Sequence, residues 1–322
     1  MNHYMIVLAI TQTKTMSNVT ASEGIVVLPN DPDYLGLCAI IIVAIQTICF
    51  IIAATLKFDK LNDLVGGSNF VILAWLTFAL AQTYHARQIL VSICVTVWGL
   101  RLSLFLFYRI LKTGEDWRFN DLRVNPAKLS VFWILQAIWV FGTGLPVYIV
   151  NSPRTNQGSQ DLQPLDYVGL AVFVVGFLSE VIADQQKNSF RNNTANKGKP
   201  CTAGLWSWSR HPNYFGEITL WWGIFMMCAS AFEGWHWASV ESPVVISILL
   251  LFVSGIPMLE QNAAKRYAED PSFWEYRRST SPVIPMPASV YALLPKPMQF
   301  LCCCECPCYR APPDVEKEPI TP

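Results

Sequence analysis

Two short stretches of this chain concentrate the residue types that do chemistry. The first runs from Glu180 to Glu217 and carries Asp184, Gln185, Gln186, Lys187, Arg191, Trp206, Trp208, Arg210, His211, Asn213 and Tyr214. The second carries Glu260, Gln261, Asn262, Lys265, Arg266, Tyr267, Tyr276, Arg277 and Arg278. Cations beside aromatic rings suit a phosphate-bearing ligand, because guanidinium and ammonium groups hold phosphate oxygens while the rings pack against planar groups. Pro212 fits the first turn of a helix. On that helix Tyr214 and Glu217 are three residues apart, and Asn213 and Glu217 four apart, so they can share a face. Its free N–H groups and positive dipole end would lie beside Arg210 and His211, a place for a phosphate or carboxylate, and an anionic nucleotide would fit there. Each residue also has an ordinary reading. Arg210 could anchor a cytoplasmic loop, and Trp206, Trp208, Tyr214, Trp221 and Trp222 could form an interfacial aromatic belt. His211 alone would mean little. The density of polar and cationic types in two segments bracketing a helical pair favours a shared pocket.

The elements that must position these residues are apolar. Of 322 residues, 52% are hydrophobic and 14% charged, about half the charge of a soluble domain. Seven apolar runs stand out: Tyr34 to Leu56, Asn69 to Tyr84, Ile89 to Leu111, Leu129 to Val150, Leu165 to Ala183, Ile218 to Phe232 and Pro243 to Met258. Several approach the ~20 residues a helix needs to cross a bilayer. The expectation is an all-α, polytopic transmembrane bundle of about seven spans occupying residues 34–285. An outward segment precedes it at 1–33, and a cytoplasmic, Cys-rich, disordered tail follows at 286–322. Glu217 and Glu260 fall at ends of apolar runs, where a charge needs a partner, and Arg210 and Lys187 are available.

Orientation follows from the basic residues of the connections. Lys112, Arg118, Arg123 and Lys128 follow the third run, and Lys187, Arg191, Lys197, Lys199 and Arg210 follow the fifth. The intervening connection has only Arg154. That places those two connections and the C-terminus in the cytoplasm and the N-terminus in the lumen. The sequon at Asn18 would then be glycosylated and the sequon at Asn192 would not. A net formal charge of zero argues against a nucleic-acid partner. The ten cysteines do not read as a disulfide scaffold: Cys38, Cys49, Cys94 and Cys228 lie in apolar runs, and Cys302, Cys303, Cys304, Cys306 and Cys308 crowd the tail. In a cytoplasmic tail near the membrane these five suit S-palmitoylation. Their spacing, without paired Cys-x-x-Cys sets or a nearby histidine, does not suit zinc, and no metal site is expected.

The stretch Trp206-Ser-Trp-Ser-Arg-His-Pro-Asn-Tyr-Phe-Gly-Glu217, with Asp184-Gln-Gln-Lys-Asn-Ser-Phe-Arg191 before it and Glu260-Gln-Asn and Arg277 to Pro285 after it, resembles the steroid 5α-reductase C-terminal superfamily. The nearer likeness is to its subgroup of poorly characterised integral membrane proteins (DUF1295-like). Phe58-Asp-Lys60, Trp98-Gly-Leu-Arg101 and Arg109 through Arg118 extend it over roughly Leu56 to Pro285. The resemblance implies an endoplasmic-reticulum reductase that uses NADPH on an activated carbon–carbon double bond of a steroid- or lipid-like substrate, without a Rossmann domain. It further implies that Lys187, Arg191, Arg210, His211, Asn213, Tyr214 and Glu217 line the dinucleotide site, with Trp206 and Arg277 beside it. Steroid-reducing members carry a tyrosine one turn before the arginine matched to Arg109. This chain has Leu106 there, which leaves Tyr108, Glu115 and Asp116 as candidate acids. The Arg-His-Pro-x-Tyr pattern is also similar to that of membrane methyltransferases that use S-adenosylmethionine on isoprenylcysteine or phospholipid. A lipid-binding protein that keeps the fold without turnover is a third expectation.

Overall fold

A computed structural model of the chain describes residues 24–56, 61–113, 125–155, 161–306 and 309, and these contain helices and no strands. The long helices are α1 (Leu35–Leu56), α2 (Leu61–Ala81), α3 (Ala86–Thr113), α4 (Pro126–Val150), α5 (Pro164–Asn192) and α6 (Pro212–Ala229). A 3-10 segment leads into α7 (Glu241–Ile248), which continues through a π turn to a break at Gly255 and then α8 (Ile256–Arg266). Shorter helices follow: α9 (Pro271–Ser279), α10 (Ala288–Leu293) and α11 (Lys296–Cys303). Proline sits in the first turn of α4, α5, α6, α8 and α9, where its missing N–H is no loss. Asn125 caps α4 by accepting from the backbone of Ala127 and Lys128.

The surface pattern is that of a protein surrounded by lipid. On α1, Cys38, Ile42, Gln46, Cys49 and Ala53 face inward, while Ile40, Val43, Ile48 and Ile51 are exposed. A stripe of large exposed aliphatics on several helices has no place in water. Among the described residues six helical stretches are long and apolar enough to cross a bilayer: Leu35–Leu56, Leu64–Ala81, Ala86–Lys112, Pro126–Val150, Pro164–Asn192 and Gly234–Arg266. All seven apolar runs recur as helical segments, one of them more polar than the other six. The sixth run lies in α6, whose first two turns carry Asn213 and Glu217 and which is an interior helix rather than a lipid-facing one.

Four glycines set how α6 lies. Gly169 and Gly176 on α5 meet Gly216 and Gly223 on α6, each pair seven residues apart, and a Cβ on any of them would fall within 3.0 Å of the opposing backbone. The two helices therefore run antiparallel in direct backbone contact, which small residues permit. Above this seam Phe70, Trp98 and Trp221 meet edge-on or tilted at 4.9 to 5.4 Å, tying α2 and α3 to α6. At one end of the bundle the buried pair Arg87–Asp166, 2.9 Å, joins α3 to α5. The polar segments singled out above gather at the other end.

Candidate functional site

The chain between α5 and α6 is held rigidly before it reaches the site. Trp206 donates from its indole to the Ala183 carbonyl at 2.9 Å, and the Gln186 side chain accepts from the Leu205 N–H. The next residues run extended along 281–286: Arg210 N–H donates to Ser281, His211 N–H to Pro282, and Met286 N–H to Trp208. The Ser209 hydroxyl adds a bond to the Val283 carbonyl at 2.7 Å. Arg210 and His211 are thus fixed by backbone pairing with a segment seventy residues away in sequence, and both are buried.

Glu260 of α8 joins them. Its Oε1 lies 2.8 Å from His211 Nε2 and 3.3 Å from Arg210 Nε, and its Oε2 accepts from Arg277 Nε at 3.0 Å. One carboxylate against three potential cations is a stable arrangement only because a second comes from the C-terminal segment. Glu305 accepts from Arg210 Nη2 at 3.0 and 3.1 Å and from the Tyr291 hydroxyl at 2.7 Å. Burial alone would lower the Arg210 pKa, but Glu260 and Glu305 carry it above its ordinary value. Burial lowers the His211 pKa, and the Glu260 bond only partly opposes this, so the ring is neutral with Nε2–H donating to Glu260. Its Nδ1 is buried without a partner among the described residues.

Beside this cluster is a cavity of about 610 Å³. Its wall includes Lys187, Arg191, Lys197, Lys199, Arg210 and Arg266, with Trp206, Tyr267, Phe273 and Tyr276 as aromatic surface. The Lys187 ammonium sits 3.9 Å from the centre of the Trp206 ring. Glu260 is the one carboxylate among the described residues of the wall, and it is already engaged. Cys201 also faces the cavity, but burial raises its thiol pKa against the pull of Lys187 and Arg191, so it is not a ready thiolate.

The structure brings Lys187, Arg191, Trp206, Arg210 and His211 together on this wall. It places the remaining sequence candidates elsewhere. Asn213 donates to Asp184 at 3.3 Å, and Glu217, one turn further along α6, interacts electrostatically with Glu180, Asp184 and Arg101. Tyr214 stacks on His211 with ring centres 5.9 Å apart and packs beside Ile256 and Val283. Arg277 stands behind Glu260 rather than in the cavity. Tyr108 is 54% exposed and does not line the cavity, while Glu115 and Asp116 lie outside the described residues. Lys197 and Lys199, which the sequence marks only as basic loop residues, join the wall, as does Arg266 from the second polar segment. The engagement of Glu305 left no local signal, since it sits inside the cysteine-rich stretch. In that stretch Cys303 is buried, Cys304 is half-buried, and Cys306 is disulfide-bonded.

Fold and site together define an integral membrane protein, a polytopic helical bundle with a cation-lined cavity at one end. The chain belongs to the family described as Protein of unknown function (DUF1295), whose pattern matches residues 49–280. It is similar to the probable O-methyltransferase ustE of Ustilaginoidea virens, 36% identical over 72 residues that make up 22% of this chain and 25% of that protein. It is also similar to the uncharacterized protein C594.04c of Schizosaccharomyces pombe, 24% identical over 188 residues, 50% of this chain and 54% of that one. The chain thus spans about half or less of the length of these curated relatives. No solved structure matches it.

Proposed function

We propose that this protein is a membrane-embedded reductase that uses NADPH to saturate an activated carbon–carbon double bond in a steroid- or lipid-like substrate. The observation that carries this reading is the charge of the cavity wall: six lysine and arginine side chains against one carboxylate that is already engaged. Such a wall favours a ligand with several phosphates. S-adenosylmethionine, which carries a sulfonium and an ammonium against one carboxylate, would be repelled. The volume is within the range of small-molecule and cofactor sites. Lys187, Arg191, Lys197, Lys199 and Arg266 would hold phosphates, Trp206 would pack against a ring, and the buried Nδ1 of His211 would accept a hydrogen bond. When bound, NADPH would supply the hydride. The chain's own part is to hold the nucleotide, keep water from the bundle and deliver a proton.

A second reading, an S-adenosylmethionine-dependent methyltransferase acting on lipid or isoprenylcysteine, is favoured by the 72-residue likeness to a protein named as a probable O-methyltransferase. Thermal stability of the purified protein with NADPH, NADH or S-adenosylmethionine separates the two. Selective stabilisation by NADPH supports the reductase, since a ligand at 100 times its Kd adds about 2.7 kcal/mol. Stabilisation by S-adenosylmethionine alone overturns it. Placement in the endoplasmic reticulum with the cavity at the cytoplasmic end belongs to the same proposal. It is supported by the basic Lys187 to Lys199 connection and tested by glycan at Asn18 but not at Asn192.

A further inference from the structure

Some of the polar side chains left over from the cavity form a second cluster, about one turn away along α5. Arg101 of α3 donates from Nη1 to Glu180 Oε1 and from Nη2 to Asp184 Oδ2, both at 2.6 Å. Asn213 donates to the other Asp184 oxygen. On α6, Gly216 presses against the Glu180 backbone, and its neighbour Glu217 is an electrostatic neighbour of Glu180, Asp184 and Arg101. Two carboxylates are thus bound directly by one guanidinium, and a third carboxyl group lies within electrostatic range of all three. The next cation along α5, Lys187, is near enough to Asp184 to interact with it but points at the Trp206 ring. Among the described residues that the cluster engages, even when Lys187 is counted, three carboxyl groups share two cations.

An unneutralised carboxylate within a membrane-spanning bundle is costly, and neighbouring carboxyl groups relieve that cost by keeping a proton. An independent observation points the same way. Glu180 is 2% exposed, yet among the described residues its second oxygen has no hydrogen-bond partner, which leaves it able to accept from a protonated neighbour. Glu180 and Asp184 are each bound directly by Arg101, which leaves Glu217 as the carboxyl of the three without an ion pair among the described residues.

We propose that the Arg101, Glu180, Asp184 and Glu217 cluster holds one proton at neutral pH, carried on Glu217, and is the proton donor for the reaction. In that step the Glu217 O–H bond breaks and its proton passes to a carbon or oxygen of the acceptor bound in the bundle. Arg101 and Asn213 stabilise the resulting carboxylate, and water from the cavity side restores the proton. The donor role rests on the reductase reading, whereas the presence of the proton does not.

The test is infrared spectroscopy of the purified, nucleotide-free protein, titrated through neutral pH in light and heavy water. Wild type is expected to show an isotope-sensitive carboxylic-acid C=O band that persists at neutral pH and is lost in Glu217→Gln. Glu180→Gln is expected to move the titration of that band to lower pH, because one negative neighbour is gone. No such band in wild type at neutral pH overturns the proposal without recourse to any variant. A band undiminished in Glu217→Gln overturns the assignment to Glu217, and an unmoved midpoint in Glu180→Gln overturns the coupling. Because no nucleotide is present, these outcomes stand whether NADPH or S-adenosylmethionine occupies the cavity.

Discussion

Glu260→Gln keeps the size of the side chain and removes only its charge, which isolates what the carboxylate does for Arg210, His211 and Arg277. The side chains of Arg210, His211, Arg277 and Glu260 are 4%, 7%, 11% and 5% exposed, so water screens them little. A unit-charge pair 4 Å apart at an effective dielectric of 20 interacts by about 4 kcal/mol. Glu305 still reaches Arg210, but Arg277 loses its carboxylate and His211 keeps only a neutral acceptor. Breaking a buried pair by removing one partner costs about 3 to 5 kcal/mol. At roughly 2 °C per kcal/mol for a large domain, the midpoint should fall by about 6 to 10 °C. The assay is a thermal melt of detergent-purified wild type and variant at equal detergent and salt. A fall under about 2 °C, equivalent to about 1 kcal/mol, would refute the reasoning, because it would mean that solvent or the C-terminal segment neutralises the cations without Glu260.

Three further outcomes are expected. Arg191 is an exposed wall residue, so Arg191→Gln should weaken NADPH by about tenfold, the low end of the 1.5 to 3 kcal/mol of a charge-assisted bond, with the melt of the ligand-free protein unchanged; titration of the NADPH-dependent melting shift measures it. His211 has a folded pKa below its ordinary 6.5, so the unfolded chain binds more protons between those two values. Its contribution is therefore fully present above about 6.5 and lost as pH falls through that window, and His211→Gln should flatten the acid side of a melting-temperature against pH curve. Gly223→Ala would drive a Cβ into the Phe173 backbone, parting α5 from α6; a loss of about 1 to 3 kcal/mol or more should appear as reduced yield and a lower melting midpoint, where an unchanged melt would deny the close seam.

The fold class was legible in the sequence because a bilayer allows few answers: long apolar runs such as Leu35–Leu56 must be helices, since only a helix satisfies its own backbone in lipid. The basic and aromatic wall was legible in part for a similar reason. Lys187, Arg191, Trp206, Arg210 and His211 lie close together in sequence, and charge in such numbers next to a membrane span needs a use. What the tertiary structure decided is which way each side chain looks. Asn213 and Glu217 stand within a few residues of His211 but are turned toward Asp184, because Gly176 and Gly216 let α6 lie against α5 at one particular rotation. Arg101 is about eighty residues from its two carboxylates, and Glu305 ninety-five from Arg210. No local pattern could pair them, since an ion pair across helices depends on the packing of the whole bundle, not on the spacing along any one of its strands of sequence.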